Sequence, residues 1–242
     1  MAPGRPRAAP GPPLQDMVRR MVPVSPDHRA ELPTPAPVAR TVSRQATRRR
    51  SVRQALAGRT REAHERLHVH PWIASLASST LTVERYRLVL GAYRAYFEHV
   101  ESERARLGLL PGLSLRGASR ALASDLAALD GDRHPRVRPD GPRFEDAPSL
   151  LGALYVLHGS GFGGRVLGAR VRATLPEAPR AYLVGGTPPA LWRRLEDELE
   201  RLRDDEVARE RLVRSAADTF DAFGRFVSRF CEHGREPLGA ER

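Results

Sequence analysis

An all-α fold is what this sequence predicts, on three observations. From residue 51 onward the apolar residues recur at helical rather than strand spacing. Only two short runs, "LYVL" and "AYLV", could pass for strands. The periodic segments are joined by short connections, and no repeat period is visible. Together they give a single domain of about seven to eight helices, residues 48–235. An Arg/Pro-rich tail (1–47) precedes it and a flexible C-terminus (236–242) follows.

The elements follow in order. "SVRQALAGRTREAHERLHVHP" puts Val52, Leu56, Arg59/Thr60, Ala63 and Leu67 on one stripe and stops at Pro71. "TVERYRLVLGAYRAYFEHVESERARL" opens on Thr82 as N-cap with Glu84 in the first turn, where an anion suits the helix dipole. It turns Val83, Tyr86, Leu90, Tyr93, Phe97 and Val100 inward. "LRGASRALASDLAALD" ends at Gly131, and a Pro-rich loop leads to "DAPSLLGALYVLHG". After "GSGFGG" comes "RVLGARVRATL", ended by Pro176 and Pro179. "PPALWRRLEDELERL" starts on prolines suited to a first turn. "DEVARERLVRSAADTFDAFGRFVSRFCEH" is the last helix.

Composition bounds the function classes. The net charge is +11, and with no lysine present every basic residue is arginine. Asparagine is absent and Ile73 is the one isoleucine, the residue usage of a GC-rich coding sequence, so the arginine count alone does not argue for a nucleic-acid partner. Residues 1–50 hold ten arginines against Asp16, Asp27 and Glu31, and ten of the 21 prolines. A segment so poor in large apolar residues cannot offset its ordering entropy, and a disordered tail is expected. Its "ATRRRSVR" run could meet phosphates or an acidic membrane. The solvated-tail reading is preferred, and nucleic acid is not expected as a partner. No apolar run approaches the roughly 20 residues of a membrane span, and none follows the basic residues as a secretory signal requires. The single cysteine, Cys231, excludes an internal disulfide and fits a reducing cytoplasm.

"YVLHGSGFGG" is the stretch that most invites a functional reading. Gly159, Gly161 and Gly164 satisfy G-x-G-x-x-G. A dinucleotide fold needs alternating strands and an acid ending the second; here the chain upstream is helical and "AYLV" ends in Gly185-Gly186. The context rejects that fingerprint. Among the eight histidines, His64 and His68 lie one helical turn apart. Glu65-x-x-His68 is a single copy of a spacing that a di-iron bundle needs twice. A helical histidine can instead ligate one heme iron, provided a second helix approaches the ring's other face. Helices are about 10–12 Å across, so glycines are needed there to let the backbone come close. The competing reading is a tight helix crossing with an ordinary amphipathic-helix histidine.

"TREAHERL", "LGALYVLHGSGFGG", "LWRRLEDEL" and "AADTFDAF", in that order, resemble the bacterial, biliverdin-producing heme oxygenases, nearest to the branch associated with bacteriophytochromes. The resemblance covers roughly residues 51–230 and implies a heme-oxygenase-like helical bundle. It implies His64 as the proximal heme ligand and Gly159, Gly163 and Gly164 as distal-helix glycines. Phe220 and Phe223 would line the heme, and Arg193 would pair with a propionate. Ser160 stands where some members carry a distal aspartate, and His158 where the bacterial branch often has glutamate. Heme b would be both substrate and cofactor, with O2 and electrons from an external reductase or ferredoxin. Its ring would open to biliverdin with release of CO and ferrous iron, and a bilin-accepting phytochrome is the implied consumer. Two alternatives stay open: a heme- or bilin-binding protein without turnover, and a helical nucleic-acid- or membrane-associating module using the tail.

Overall fold

The computed structural model describes residues 51–129 and 137–235. The Arg/Pro-rich tail, His134 and the C-terminal segment, with the expectations attached to them, lie outside those residues. The described chain is all helical, with nine α-helices and two 3-10 turns. In order these are α1 (Val52–Arg59), α2 (Arg61–His68), α3 (Pro71–Ala74), a turn at Ser75–Ala77, and α4 (Val83–Leu107). A second turn at Pro111–Leu113 leads to α5 (Arg116–Ala127), α6 (Ala147–Thr174), α7 (Ala181–Gly185), α8 (Pro189–Arg201) and α9 (Glu206–His233). The number exceeds seven to eight because α3 and α7 are pieces of only four and five residues.

Three long helices, α4, α6 and α9, build the core, with Tyr96, Phe97, Leu154, Phe226 and Phe230 fully buried between them. Burial of each such side chain contributes ~1.5–3 kcal/mol. The closest crossing is α6 on α9. Gly152 makes it possible, because a Cβ there would lie 2.5 Å from Leu212 O and 2.9 Å from Ala216 N. The helix starts are fixed locally, at Thr82 as the sequence predicts and also at Asp146. Thr82 Oγ1 accepts from Arg85 N at 3.2 Å, and Asp146 accepts from Ser149 N at 2.9 Å. Gly108, in the left-handed region at φ 66°, ends α4.

Three expectations are corrected, and the all-α reading holds. The stripe from Val52 to Leu67 is two helices, broken at Thr60, whose φ of −102° and ψ of 6° leave the helical region. Val83 is not inward but 48% exposed, since a first-turn residue has no preceding turn to pack beside. In keeping with the all-α reading, "AYLV" lies in α7 and "LYVL" is helical. The glycine cluster does not separate two helices: α6 runs unbroken through it for 28 residues, about 42 Å. A glycine run lowers helix propensity by ~1 kcal/mol per residue, and the contacts of α6 on both sides outweigh that.

Candidate functional site

His64 lies on α2, half-buried. Its ring meets Phe220 of α9 edge-on at 5.6 Å, and its Nε2 is 3.0 Å from His68 Nε2. Removal from water, reinforced by the neighbouring His68, pushes His64 down to about 4. His68 is lowered too, by desolvation. Both imidazoles are therefore neutral near pH 7, the form that ligates a metal. His70 is engaged elsewhere, with its Nε2 2.9 Å from Ser228 Oγ. It lines a cavity of about 290 Å³ between α2 and α9 together with Leu67, Gly224 and Arg225.

Phe220 and Phe223 are buried one turn apart on α9 and face different neighbours. Phe220 meets His64, whereas Phe223 contacts Tyr93 at 4.8 Å and Tyr96 at 5.1 Å, both on α4. Tyr93 in turn contacts Tyr182 of α7 at 5.6 Å, and the Tyr182 hydroxyl is 3.1 Å from Ser160 Oγ on α6. A run of ring contacts thus leads from Phe223 on α9 through Tyr93 and Tyr182 to Ser160 on the glycine helix.

The glycines of α6 divide by face. At about 100° per residue, Gly159 and Gly163 share one face. Gly161, Gly164 and Gly168 share another, and Ser160 lies between the two faces. A Cβ at Gly159 would meet nothing within 4 Å. By contrast, a Cβ at Gly164 would lie 2.6 Å from Leu183 O, and one at Gly161 2.6 Å from Thr187 Oγ1. So Gly161 and Gly164 seat the Leu183–Thr187 segment, and the open side belongs to Gly159. This gives Gly164 a packing requirement that the resemblance did not include. His158 points away from the open side, since its Nε2 is 3.1 Å from Leu113 O and the ring is buried.

Arg193 is exposed on α8. The structure brings it to none of the other site residues through a hydrogen bond or ion pair among the described residues. Its helix is held by Arg53–Glu196 at 2.9 Å and by Val52 N donating to Glu200 at 2.8 Å. Trp192, beside it, packs on Tyr155 at 6.0 Å and Phe162 at 4.6 Å.

Sequence reasoning missed Tyr182, Tyr93 and Asp125. Asp125, 1% exposed, accepts from Ala181 N at 2.7 Å and Tyr182 N at 2.9 Å, and so anchors α7. An Asp in an amphipathic helix reads as a solvated residue, and only its place on the buried side of α5 distinguished it.

The site residues fit a heme. His64 is a neutral helical imidazole beside the Phe220 ring, and on α6 a Cβ at Gly159 would meet nothing within 4 Å. A helical bundle with those features has the fold of the heme oxygenases. The structure of heme oxygenase from Leptospira interrogans matches with a TM-score of 0.58 at 18% identity, covering 74% of this chain and 100% of that one. Heme oxygenase-1 from the cyanobacterium Synechocystis sp., in complex with heme, matches with a TM-score of 0.56 at 15% identity. That match covers 74% of this chain and 92% of the other. At these identities the likeness is one of fold. No protein-family model matches the chain, and no curated protein matches it.

Proposed function

We propose that this chain is a heme oxygenase, acting in the bacteriophytochrome-associated manner that its motif string resembles. Heme is opened to biliverdin with O2 and electrons from an external reductase or ferredoxin, and CO and ferrous iron are released. The observations that support this reading are a neutral His64 on α2 beside Phe220 and, on α6, a Gly159 with nothing where a side chain would stand. When bound, heme supplies the iron and the ring that is itself attacked.

The chain's own residues hold and orient. His64 offers its lone pair to the iron, which requires Nε2 to leave His68. Phe220 and Phe223 exclude water along one edge. Gly159 and Gly163 let the α6 backbone approach the ring, and Gly164 fixes the helix at that height by seating Leu183. Ser160, between the two glycine faces, is the hydroxyl this reading assigns to the distal side. Arg193, an exposed guanidinium on α8, is the candidate partner for a propionate. A bilin-accepting phytochrome is the consumer this reading proposes. Among the described residues no helix is long and apolar enough to cross a membrane.

Hemin titration followed by absorption tests the proposal. A Soret band that depends on His64, and that gives way to a bilin spectrum with reductant and O2, is the expected result. A stable Soret band under the same conditions would make this a heme carrier without turnover. No heme-dependent band at all would end the reading.

A further inference from the structure

His64-Glu65-Arg66-Leu67-His68 reads H-E-x-x-H within the single helix α2. That spacing sets two imidazoles one turn apart on the same face, the pairing by which helices bind zinc. The fold brings the two rings together as the spacing requires. Their facing nitrogens are both Nε2, 3.0 Å apart, and the ring planes cross at 75°. Two nitrogens bound to one zinc ion at the usual ~2.0–2.1 Å, in cis or tetrahedral positions, lie about 2.9–3.4 Å from each other. The observed separation falls inside that range. With the protons of both rings on Nδ1, the two Nε2 lone pairs are free for one ion.

The pair is also held in place. Phe220 meets the His64 ring edge-on at 5.6 Å, and Arg66 ties α2 to Asp221 of α9 at 3.0 and 3.2 Å. Rings fixed before an ion arrives lower the ordering cost of binding it. Among the described residues no third His, Cys, Asp or Glu joins the pair in a ligand set of three. The remaining positions of an ion there belong to water, so the site lacks the third protein ligand of a zinc hydrolase. Two imidazoles without a carboxylate select Zn²⁺, Ni²⁺ or Cu²⁺ over Mg²⁺ and Ca²⁺, which take oxygen ligands.

We propose that His64 and His68 together form a binding site for one divalent ion of the zinc class in the heme-free chain. The ion takes both Nε2 atoms and replaces the hydrogen bond between them. Heme would draw on the same nitrogen of His64, so ion and heme exclude one another. That exclusion rests on the heme proposal, whereas the ion site does not. Zinc bound at the pair would then limit how much of the chain can take up heme.

The test titrates the heme-free full chain with Zn²⁺, read by calorimetry. His64→Ala and His68→Ala should each weaken binding at least about tenfold, since even groups outside a metal's ligand set are worth that much. His70→Ala and Glu65→Gln should leave it unchanged, and excess Mg²⁺ should not compete. With Cu²⁺ in place of Zn²⁺, paramagnetic resonance should show two imidazole nitrogens in the parent chain and one in each single variant. If either alanine variant loses its helical circular dichroism, His68→Gln, which keeps much of the side chain's bulk, decides. A zinc titration indifferent to both His64→Ala and His68→Ala would overturn the site, and so would one abolished by His70→Ala alone. Hemin added to the zinc-saturated chain should give a weakened Soret band that a chelator restores. Zinc bound at the pair with hemin uptake unaffected would overturn the exclusion and count against His64 as the heme ligand, with the ion site standing.

Discussion

His64 and His68 share a proton: their Nε2 atoms are 3.0 Å apart, so one ring donates and the other accepts. The nitrogen that the heme reading assigns to iron is thus held by a neighbour one turn away. Loading heme must break that bond. His68→Ala should leave the axial-histidine spectrum intact and should not weaken hemin binding, whereas His64→Ala should abolish it. Loss of the axial signature in His68→Ala alone would reassign the ligand.

The same pair sets a pH dependence. In the folded chain His64 is lowered from 6.5 to about 4, chiefly by desolvation and then by His68. The unfolded state therefore binds more protons between those values, and stability falls as pH drops through that window. Above pH 6.5 the contribution of His64 to stability is fully present. The thermal midpoint of the heme-free protein should decline from pH 6.5 toward 4, and His64→Ala should flatten the slope. An equal slope in the variant would locate the effect in other groups.

Two glycines of one helix should respond in opposite ways. Gly164→Ala forces a Cβ to 2.6 Å from Leu183 O and should destabilise by ~1–3 kcal/mol through overpacking. Gly159→Ala meets nothing and should stabilise by ~0.5–1 kcal/mol, the ordinary helical gain. Hemin affinity or ring opening should nevertheless suffer in Gly159→Leu, because its side chain enters the open space. Denaturant midpoints and hemin titrations on these variants separate packing from close approach.

Asp125→Ala should cost ~1–3 kcal/mol, since it leaves the buried amide of Tyr182 and the part-buried amide of Ala181 without an acceptor. Faster amide exchange should be confined to Ala181–Gly185 and its contacts. Uniform loss of protection would mean that Asp125 supports the whole bundle.

Arg104 and Glu101, side chains 8% and 10% exposed, form a bidentate pair at 2.9–3.0 Å. Glu101 also accepts from Ser114 Oγ and Leu115 N, both at 2.9 Å, and so ties α4 to the start of α5. Arg104→Met would leave the Glu101 carboxylate with Arg116 at 3.3 Å and its Ser114 and Leu115 donors, at a cost of ~1–3 kcal/mol. Arg104→Met with Glu101→Gln should recover part of it. A denaturation series that shows no coupling between the two substitutions would contradict this account.

The sequence by itself determined the helices. The 3.6-residue period of "ERYRLVLGAYRAYF" and the cap at Thr82 are local properties, settled within a few residues. The glycines stood out by residue type, whereas His64 was distinguished from His68 only by the motif resemblance. Only the tertiary structure decided that Gly164 seats Leu183 while Gly159 faces open space, since both are glycines of one helix. It alone joined Ser160 to Tyr182, 22 residues away, and Asp125 to Tyr182, 57 residues away. The physical reason is one of range. A helical period fixes which side chains share a face, but the partner of that face is set by how whole helices pack, and no local propensity carries that information.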